Sequence, residues 1–320
     1  MKPRKWTWRS EIAYRLLYGI WYTLSLLPMW VHYLFSDLLY LLIAYVVRYR
    51  EAIVMKNLRA SFPEKDEAEL KRIKRGFYRF FCDYIAETVK YTTMSKRQVL
   101  KRMQFRDTEP IFEAIRQGKS IALMLGHYCN WEFVPSLMLW MDNMSNATFG
   151  HIYHPLENPV FDRLFLTFRN RMGSQSVSMA ETFRWNIKHR NEGKSTMMGY
   201  ISDQVPVWHN IHHWTTFLNQ ETPVMTGCER IARRLHQAVV YVDMERVARG
   251  KYVATFRWIT EDAANEPEFS VTDRYFEMLE QTIRQAPQYW LWSHNRWKRS
   301  REEFDRKFVE VNGRVIERKD

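Results

Sequence analysis

The chain opens on a long apolar stretch. Residues 12–47 are dominated by Leu, Tyr, Ile, Trp and Val, and only Arg15, Pro28, His32 and Asp37 interrupt them. A single helix of this length would measure about 54 Å, whereas a membrane's hydrocarbon core is about 30 Å thick. Pro28 predicts a break between two helical halves. The pattern favours a re-entrant hairpin, or one spanning segment plus an interfacial helix, and a buried soluble helix pair is the alternative.

Basic residues lie on both sides of this stretch. Positive charge prefers the cytoplasmic side of a membrane, so both flanks are expected there. An A-x-A cleavage site is absent from the sequence, which disfavours a signal peptide. We therefore expect residues 1–50 to form a membrane anchor. The flanking residues are Lys2, Arg4, Lys5 and Arg9 before it, and Arg48, Arg50, Lys56 and Arg59 after it.

Beyond the anchor, the pattern predicts charged helices over residues 50–106, with an amphipathic stretch at 67–90. Short apolar runs then alternate with helical stretches, which favours an α/β fold in which helices cover a sheet. We expect one catalytic domain over residues 51–298 and a solvated, charged tail over 299–320. The predicted strands are 120–125, 147–153, 195–202, 238–246 and 252–259, and the predicted helices are 132–141, 158–172, 181–190, 226–235 and 271–286.

Composition adds a preference for anionic and membrane partners. The net charge is +12 and the chain carries 13 Trp and 17 Tyr, residues that favour membrane interfaces. A nucleic-acid module is disfavoured because its basic residues are dispersed and no helix-turn-helix or zinc-finger pattern occurs. Three widely spaced cysteines argue against a disulfide framework or a zinc site, and Cys129 is expected to be a packing residue.

Candidate chemistry follows the first predicted strand, where Gly126 and His127 are followed by Glu132. Five residues on one helix would place two side chains about 140° apart. We therefore expect His127 in a turn and Glu132 in the first turn of the next helix. A neutral imidazole can accept a proton while a carboxylate fixes its tautomer. A structural histidine that caps a turn is the alternative.

Further candidates come later in the chain. Asp203 and Gln204 follow the strand at 195–202, so their loop could converge with that of His127, although a plain turn is nearly as good a reading. Arg163, Arg169 and Arg171 lie on one predicted helix and are suited to phosphate or carboxylate contacts, although such arginines are more often solvated charge. A metal site is disfavoured because no histidine pair shows zinc-binding helical spacing with a carboxylate. The histidines considered are His151, His154, His209, His212 and His213.

Four motifs, in order, resemble those of the bacterial lipid A biosynthesis late acyltransferase family. They are GHYCNWE at 126–132, NP at 158–159 with FRNRMG at 168–173, SDQ at 202–204, and PQYWLWSHNRWK at 287–298. Together with the apolar N-terminus, the resemblance covers almost the whole chain. It implies a glycerol-3-phosphate acyltransferase-like mixed sheet covered by helices, and a membership in the wider group with an H-x4-D/E motif.

The resemblance also implies an activity, which is O-acyl transfer from acyl carrier protein to a hydroxyl of a lipid A precursor. His127 would be the general base and Glu132 would orient it. The implied partners are acyl carrier protein, an anionic glycolipid and the membrane, with no nucleic acid, cofactor or metal. The implied location is the bacterial inner membrane, with the catalytic domain facing the cytoplasm. Substrate contacts would come from Asn130, Arg163, Arg169, Arg171, Asp203 and Gln204.

Two departures from the family pattern leave the acceptor open. Ser202 stands where the family often has Ala or Pro, and residues 205–214 are rich in His and Trp. One alternative is an acyltransferase for another lipid, such as a lysophospholipid or an amino-acid lipid. Another is a membrane lipid-binding protein without catalysis. The sequence also leaves open whether carrier protein or coenzyme A is the donor.

Overall fold

The computed structural model describes residues 6–141, 144 and 146–318. Helices make up the N-terminal third and then alternate with strands. A π-helical turn, Leu42–Val46, extends α2, and a 3-10 segment, Trp131–Trp140, follows the second strand. The helices are α1 (Trp8–Leu26), α2 (Met29–Leu41), α3 (Glu51–Ser61), α4 (Glu67–Tyr91), α5 (Lys96–Leu100), α6 (Glu109–Arg116), α7 (Pro159–Arg169), α8 (Thr182–Asn191), α9 (Gly227–Leu235), α10 (Ser270–Gln285) and α11 (Arg301–Lys307).

A seven-stranded sheet forms the centre, in the order β1-β9-β8-β2-β5-β3-β4. Strands β8, β2, β5, β3 and β4 are mutually parallel, whereas β9 runs antiparallel to β8 and β1 is parallel to β9. Two small hairpins, β6–β7 and β10–β11, lie outside it. The strands are β1 (Met103–Arg106), β2 (Ile121–Leu125), β3 (Ala147–Tyr153), β4 (Gln175–Ser178), β5 (Ser195–Ile201), β6 (Trp214–Phe217), β7 (Gln220–Pro223), β8 (Ala238–Ala248), β9 (Lys251–Thr260), β10 (Phe308–Val311) and β11 (Arg314–Glu317).

The central strands are continuously apolar because both of their faces are buried. Every residue of β2 is buried, because helices cover both faces of the sheet. In β5 the first six residues are buried for the same reason. The mixed, mainly parallel sheet confirms the expected α/β class. The break at Pro28 is also present, since α1 ends before it and α2 begins after it.

Several sequence predictions need correction. The helix expected at 132–141 is a 3-10 segment, and Pro135 inside it removes a hydrogen-bond donor that an α-helix needs. The helical prediction for residues 50–106 is wrong at its end, where residues 103–106 form β1, and no strand is predicted at β4. Four-residue edge strands give little periodicity. The tail is only partly solvated, because it forms α11 and the β10–β11 hairpin, in which Phe308 is buried and stacks on Trp208 with ring centroids 5.3 Å apart.

The N-terminal hairpin α1–α2 packs on the rest of the chain along one side. Helix α1 contacts α7 and α4, and α2 lies along α4. The inner face of α2 is polar: Ser36 donates a hydrogen bond to Asp83 at 2.7 Å, and Asp37 pairs with Arg249 at 2.6 Å. The stretch Met29–Val46 is long and apolar enough to cross a membrane, and few of its residues are buried.

Candidate active site

The register of the sheet brings two sequence candidates to one edge. Strands β2 and β5 are parallel neighbours, and Leu125 pairs with Ile201 at their carboxyl ends. His127 and Asp203 each lie two residues further along, so both leave the sheet at the same height. Gly126 makes this approach possible, because a Cβ there would lie 2.7 Å from Leu279 Cδ1 and 3.5 Å from Asp203 Oδ2.

Asp203 is the carboxylate that holds the His127 imidazole. Asp203 Oδ1 lies 2.6 Å from His127 Nδ1, and Asp203 Oδ2 accepts a hydrogen bond from the backbone N–H of His127 at 2.9 Å. The indole N–H of Trp290 donates a further bond to Oδ2 at 2.8 Å. This set of contacts fixes Nδ1 as the protonated nitrogen and leaves Nε2 as the basic one.

The environment keeps Asp203 ionised although it is buried. Burial alone raises a carboxyl pKa, but the His127 imidazole and the hydrogen bonds from His127 and Trp290 hold the pKa of Asp203 below its ordinary value. The His127 side chain is partly open, with 19% of its surface exposed. Gln204 lies beside the open edge, with its amide nitrogen 3.3 Å from His127 Nε2. The imidazole is therefore partly accessible, with the Gln204 amide beside its Nε2 atom.

Glu132 has a different partner from the one its spacing suggested. It lies in the first turn of the 3-10 segment, as expected, but its carboxylate accepts two hydrogen bonds from Arg169, at 2.7 and 2.5 Å. Tyr84 donates a third bond at 3.3 Å. Although burial opposes ionisation, the Arg169 guanidinium holds the pKa of Glu132 below its ordinary value. The expected orienting contact from Glu132 to the imidazole is therefore corrected: Asp203 makes it.

Trp131 lies between the His127 imidazole and the Glu132–Arg169 ion pair. Its ring meets the His127 ring edge-on with centroids 4.9 Å apart, and it packs on Tyr84 at 4.4 Å. The Glu132 and Arg169 pair thus fixes the segment that carries Trp131, and Trp131 forms one wall beside the imidazole. Residue Glu132 contributes to the site through this wall.

The remaining predicted contact residues are dispersed. Asn130 is fully buried and donates a hydrogen bond to Glu87 at 2.8 Å, so it anchors the loop from below. Arg163 pairs with Glu11 of α1 at 2.7 Å. Arg171 donates to the carbonyl of Tyr91 at 2.8 Å. In this structure each of these side chains contacts protein groups, and only Gln204 joins His127 and Asp203 at the open edge.

The cysteine and histidine side chains considered for nucleophilic or metal-binding roles are buried or bonded to other protein groups. Burial raises the pKa of the Cys129 thiol well above its usual range, and the side chain is fully buried, so it is a packing residue. Over the described ranges, no three His, Cys, Asp or Glu side chains come close enough to hold a metal ion. His209, His212 and His213 contact Val315, Glu310 and Asp273, respectively.

Trp290 is the functional contact that reasoning from the sequence missed. Its segment pairs with the His127 loop: Leu291 N–H donates to the His127 carbonyl at 3.1 Å, and Cys129 N–H donates to the Tyr289 carbonyl at 3.0 Å. The only sequence signal was its place in the fourth motif. A separation of 87 residues between Trp290 and Asp203 carries no periodicity that could have predicted the contact.

This arrangement can remove a proton from an alcohol. A histidine whose Nδ1–H is held by a buried carboxylate presents a basic Nε2 and is stabilised as an imidazolium once protonated. Comparison with known proteins agrees with such chemistry. The family model for bacterial lipid A biosynthesis acyltransferases matches residues 1–299. A lipid A biosynthesis acyltransferase of Haemophilus influenzae is 22% identical over 295 residues, which cover 91% of this chain and 87% of the relative. The chain therefore belongs to the bacterial lipid A biosynthesis acyltransferase family, and it is an acyltransferase.

Proposed function

We propose that this protein transfers a fatty acyl chain from acyl carrier protein to a hydroxyl group of a lipid A precursor, with His127 as the general base and Asp203 as its orienting partner. The observation that carries the assignment is the 2.6 Å contact between Asp203 Oδ1 and His127 Nδ1. Family membership supplies the reaction class. Asp203 thus takes the orienting role that the sequence motif would give to Glu132.

The proposed step needs no covalent enzyme intermediate. His127 Nε2 takes the proton of the acceptor hydroxyl as its oxygen attacks the thioester carbonyl carbon. The tetrahedral intermediate collapses with cleavage of the C–S bond, and the imidazolium returns the proton to the departing thiolate. Asp203 stabilises the imidazolium between these two transfers. The side-chain amide of Gln204, beside Nε2, is placed to donate a hydrogen bond to oxygen atoms of the bound substrates.

Charge supports the choice of partners. The net charge of +12 favours both a highly acidic carrier protein and an anionic glycolipid. Thioesters of carrier protein and of coenzyme A present the same carbonyl to His127. The donor preference is therefore a property of the surface outside the imidazole site.

We also propose that the enzyme lies on the membrane through the outer face of α1 and α2. This face is apolar and exposed, whereas the inner face of α2 makes polar contacts with α4 and with Arg249. A helix with one polar, protein-bound side is better placed in the interface plane than across the bilayer. The proposed location is the bacterial inner membrane, with the catalytic site on the cytoplasmic side. The exposed residues are Trp8, Ile12, Leu16, Ile20 and Leu24 of α1, and Trp30, Leu34, Phe35 and Leu38 of α2.

His127→Ala and Asp203→Asn test the catalytic assignment. Loss of an oriented base slows the chemical step by about 10²- to 10⁴-fold, so both variants should lose acyl transfer from acyl carrier protein to a lipid A precursor. Folding is checked by circular dichroism and by the unfolding midpoint. Lys188→Met, an exposed change on α8 outside the four motifs, is the control and should keep its rate.

Mass spectrometry of lipid A from cells with and without the gene tests the acceptor. Deletion should remove one secondary acyl chain, and the wild-type gene, but not the His127→Ala gene, should restore it. An unchanged lipid A, with a change instead in phospholipids or amino-acid lipids, would transfer the proposal to one of those acceptors. Normal transfer by folded His127→Ala protein would refute the assignment of the base.

A further inference from the structure

Glu87, on α4, is a fully buried carboxylate that the proposed chemistry does not use. None of its surface is exposed. Its Oε2 atom accepts hydrogen bonds from the Asn130 amide at 2.8 Å and from the Tyr252 hydroxyl at 2.7 Å, and its Oε1 atom accepts one from the Tyr33 hydroxyl at 3.2 Å. A buried carboxylate is costly unless such donors compensate its desolvation. Glu87 therefore joins α2, β9 and the loop that follows His127.

The loop that follows His127 needs contacts to hold its shape. Cys129 has a φ of 52°, in the left-handed region that residues other than glycine rarely adopt. Backbone hydrogen bonds to residues 289–291 hold the loop as far as Cys129. Asn130 comes next, and its side chain is fully buried. The hold on the loop beyond Cys129 thus passes to the side chain of Asn130.

The hydrogen bond to Glu87 orients the Asn130 side chain. The other end of its amide, Oδ1, is buried without a hydrogen-bond partner among the described residues. Trp131 follows directly, and its ring meets the His127 ring edge-on with centroids 4.9 Å apart. A displacement of Asn130 therefore moves the loop backbone together with the ring beside the imidazole. Misplacing reacting groups by about 1 Å can slow a reaction by about 10²-fold.

We propose that Glu87 is a positioning residue for acyl transfer, because its hydrogen bond to Asn130 fixes the loop that carries His127. Neither Glu87 nor Asn130 has exposed surface, so neither touches a substrate. The hydroxyls of Tyr252 and Tyr33 hold the carboxylate in place, one from the sheet and one from the N-terminal hairpin. This role rests on the proposed function of His127 as the base.

The role requires the reach of the Glu87 side chain and not its charge. In Glu87→Gln, the side-chain oxygen can still accept hydrogen bonds from Asn130 and Tyr252. The new amide nitrogen can donate to the Tyr33 hydroxyl, whose oxygen is also an acceptor. In Glu87→Asp, the charge remains, but the carboxylate is withdrawn by about 1.5 Å, one C–C bond. The 2.8 Å hydrogen bond from Asn130 is then lost.

The test is steady-state kinetics of the full-length variants with acyl carrier protein as donor. Glu87→Asp and Asn130→Ala should each lower kcat by about 10²-fold and leave the KM for the donor unchanged, because the reacting groups are misplaced while the binding surface is intact. Glu87→Gln should keep the wild-type kcat. The double variant Glu87→Asp with Asn130→Ala should be no slower than the slower single variant, since both changes remove the same hydrogen bond.

Ser36→Ala is the control for a purely structural effect. Ser36 is 2% exposed and donates a hydrogen bond at 2.7 Å to Asp83, the carboxylate one turn away on α4. It therefore removes a donor from a buried carboxylate, as Asn130→Ala does, but at a distance from the loop. Ser36→Ala should lower the urea unfolding midpoint about as much as Asn130→Ala, and it should keep the wild-type kcat.

A folded Asn130→Ala enzyme with the wild-type kcat overturns the inference, and so does a double variant whose two losses multiply. A slow Glu87→Gln enzyme also overturns it, because the reach is kept there. A Ser36→Ala enzyme slowed as much as Asn130→Ala would mean a general loss of stability and would overturn it too.

If Glu87→Asp does not fold, Asn130→Ala and Glu87→Gln decide: a slow first enzyme with an active second one supports the inference, and any other pair overturns it. The proposed function fails separately, through an active His127→Ala enzyme. An inactive His127→Ala enzyme beside an Asn130→Ala enzyme of wild-type rate removes only the role of Glu87.

Discussion

At the scale of single residues, two buried carboxylates near the imidazole have separate tasks. Asp203 binds the His127 ring and backbone, whereas Glu132 forms a bidentate pair with Arg169. Both are only 2% exposed, so each stays ionised through its partner and not through solvent. The H-x4-E motif therefore joins the imidazole that we propose as the base to a carboxylate paired with Arg169, and Trp131 packs beside the imidazole.

Glu132→Gln should destabilise the fold, because it leaves the Arg169 guanidinium without its counter-charge. Breaking a buried pair by removing one partner costs about 3 kcal/mol or more of unfolding free energy. Glu11→Gln is the matched control, because it breaks only exposed pairs, with Arg15 and Arg163, and should leave the free energy of unfolding almost unchanged. Urea unfolding of both variants measures the difference. Equal, small losses would show that Glu132 is not buried with Arg169 as described.

At the scale of elements, the hairpin α1–α2 and helix α4 act as one layer over the site. Helix α4 supplies Tyr84 to the Trp131 wall and Asp83 to the hairpin. Arg249, in the turn between β8 and β9, ties Asp83 to Asp37 of α2. The surface proposed to meet lipid is thus attached, through α4, to the segment that borders His127.

Charges on the outer face of α1 should release the protein from membranes. Leu16 and Ile20 are 65% and 61% exposed, one helical turn apart. Insertion of each side chain into lipid contributes about 1.5 to 3 kcal/mol to membrane binding. The double change Leu16→Glu with Ile20→Glu removes both contributions and should weaken binding to anionic vesicles at least about tenfold. The control is Val311→Glu with Ile316→Glu on the tail hairpin, where similarly exposed apolar residues are not expected to meet lipid. Release by the control pair alone would place the membrane face elsewhere.

At the scale of the whole molecule, buried neutral histidines make the fold sensitive to acid. Burial lowers the pKa of both His151 and His294 from 6.5 to about 4. Between these values the unfolded chain binds protons at both sites and the folded chain does not. The free energy of unfolding therefore decreases as the pH falls through this range.

The unfolding midpoint should consequently fall as the pH is lowered from about 6.5 to about 4, with each histidine contributing at most about 3 kcal/mol. Thermal unfolding monitored by circular dichroism across this window measures the slope. His151→Gln removes one titrating group and should make the slope shallower. A flat wild-type profile would mean that neither histidine is buried in neutral form.

Local patterns predicted much of the architecture. The five long strands and the main helices after residue 158 follow from apolar runs and amphipathic spacing, and Pro28 marked the break in the hairpin. The edge strands and the β10–β11 hairpin were missed, because four-residue strands take their stability from neighbours and not from their own periodicity.

Two features of the site follow from the order of residues along the chain: an apolar strand that leads through a glycine to His127, and Asp203 after a second strand. The sequence also determined the family, through ordered motifs. The carboxylate that contacts the imidazole can be identified only in the folded chain, because side-chain partners depend on sheet register. Parallel pairing of β2 with β5 places Asp203 next to Nδ1 of His127. The packing of α7 places Arg169 next to Glu132, and the two form an ion pair. Neither the contact between Asp203 and His127 nor the one between Glu132 and Arg169 can be predicted from their spacing along the chain.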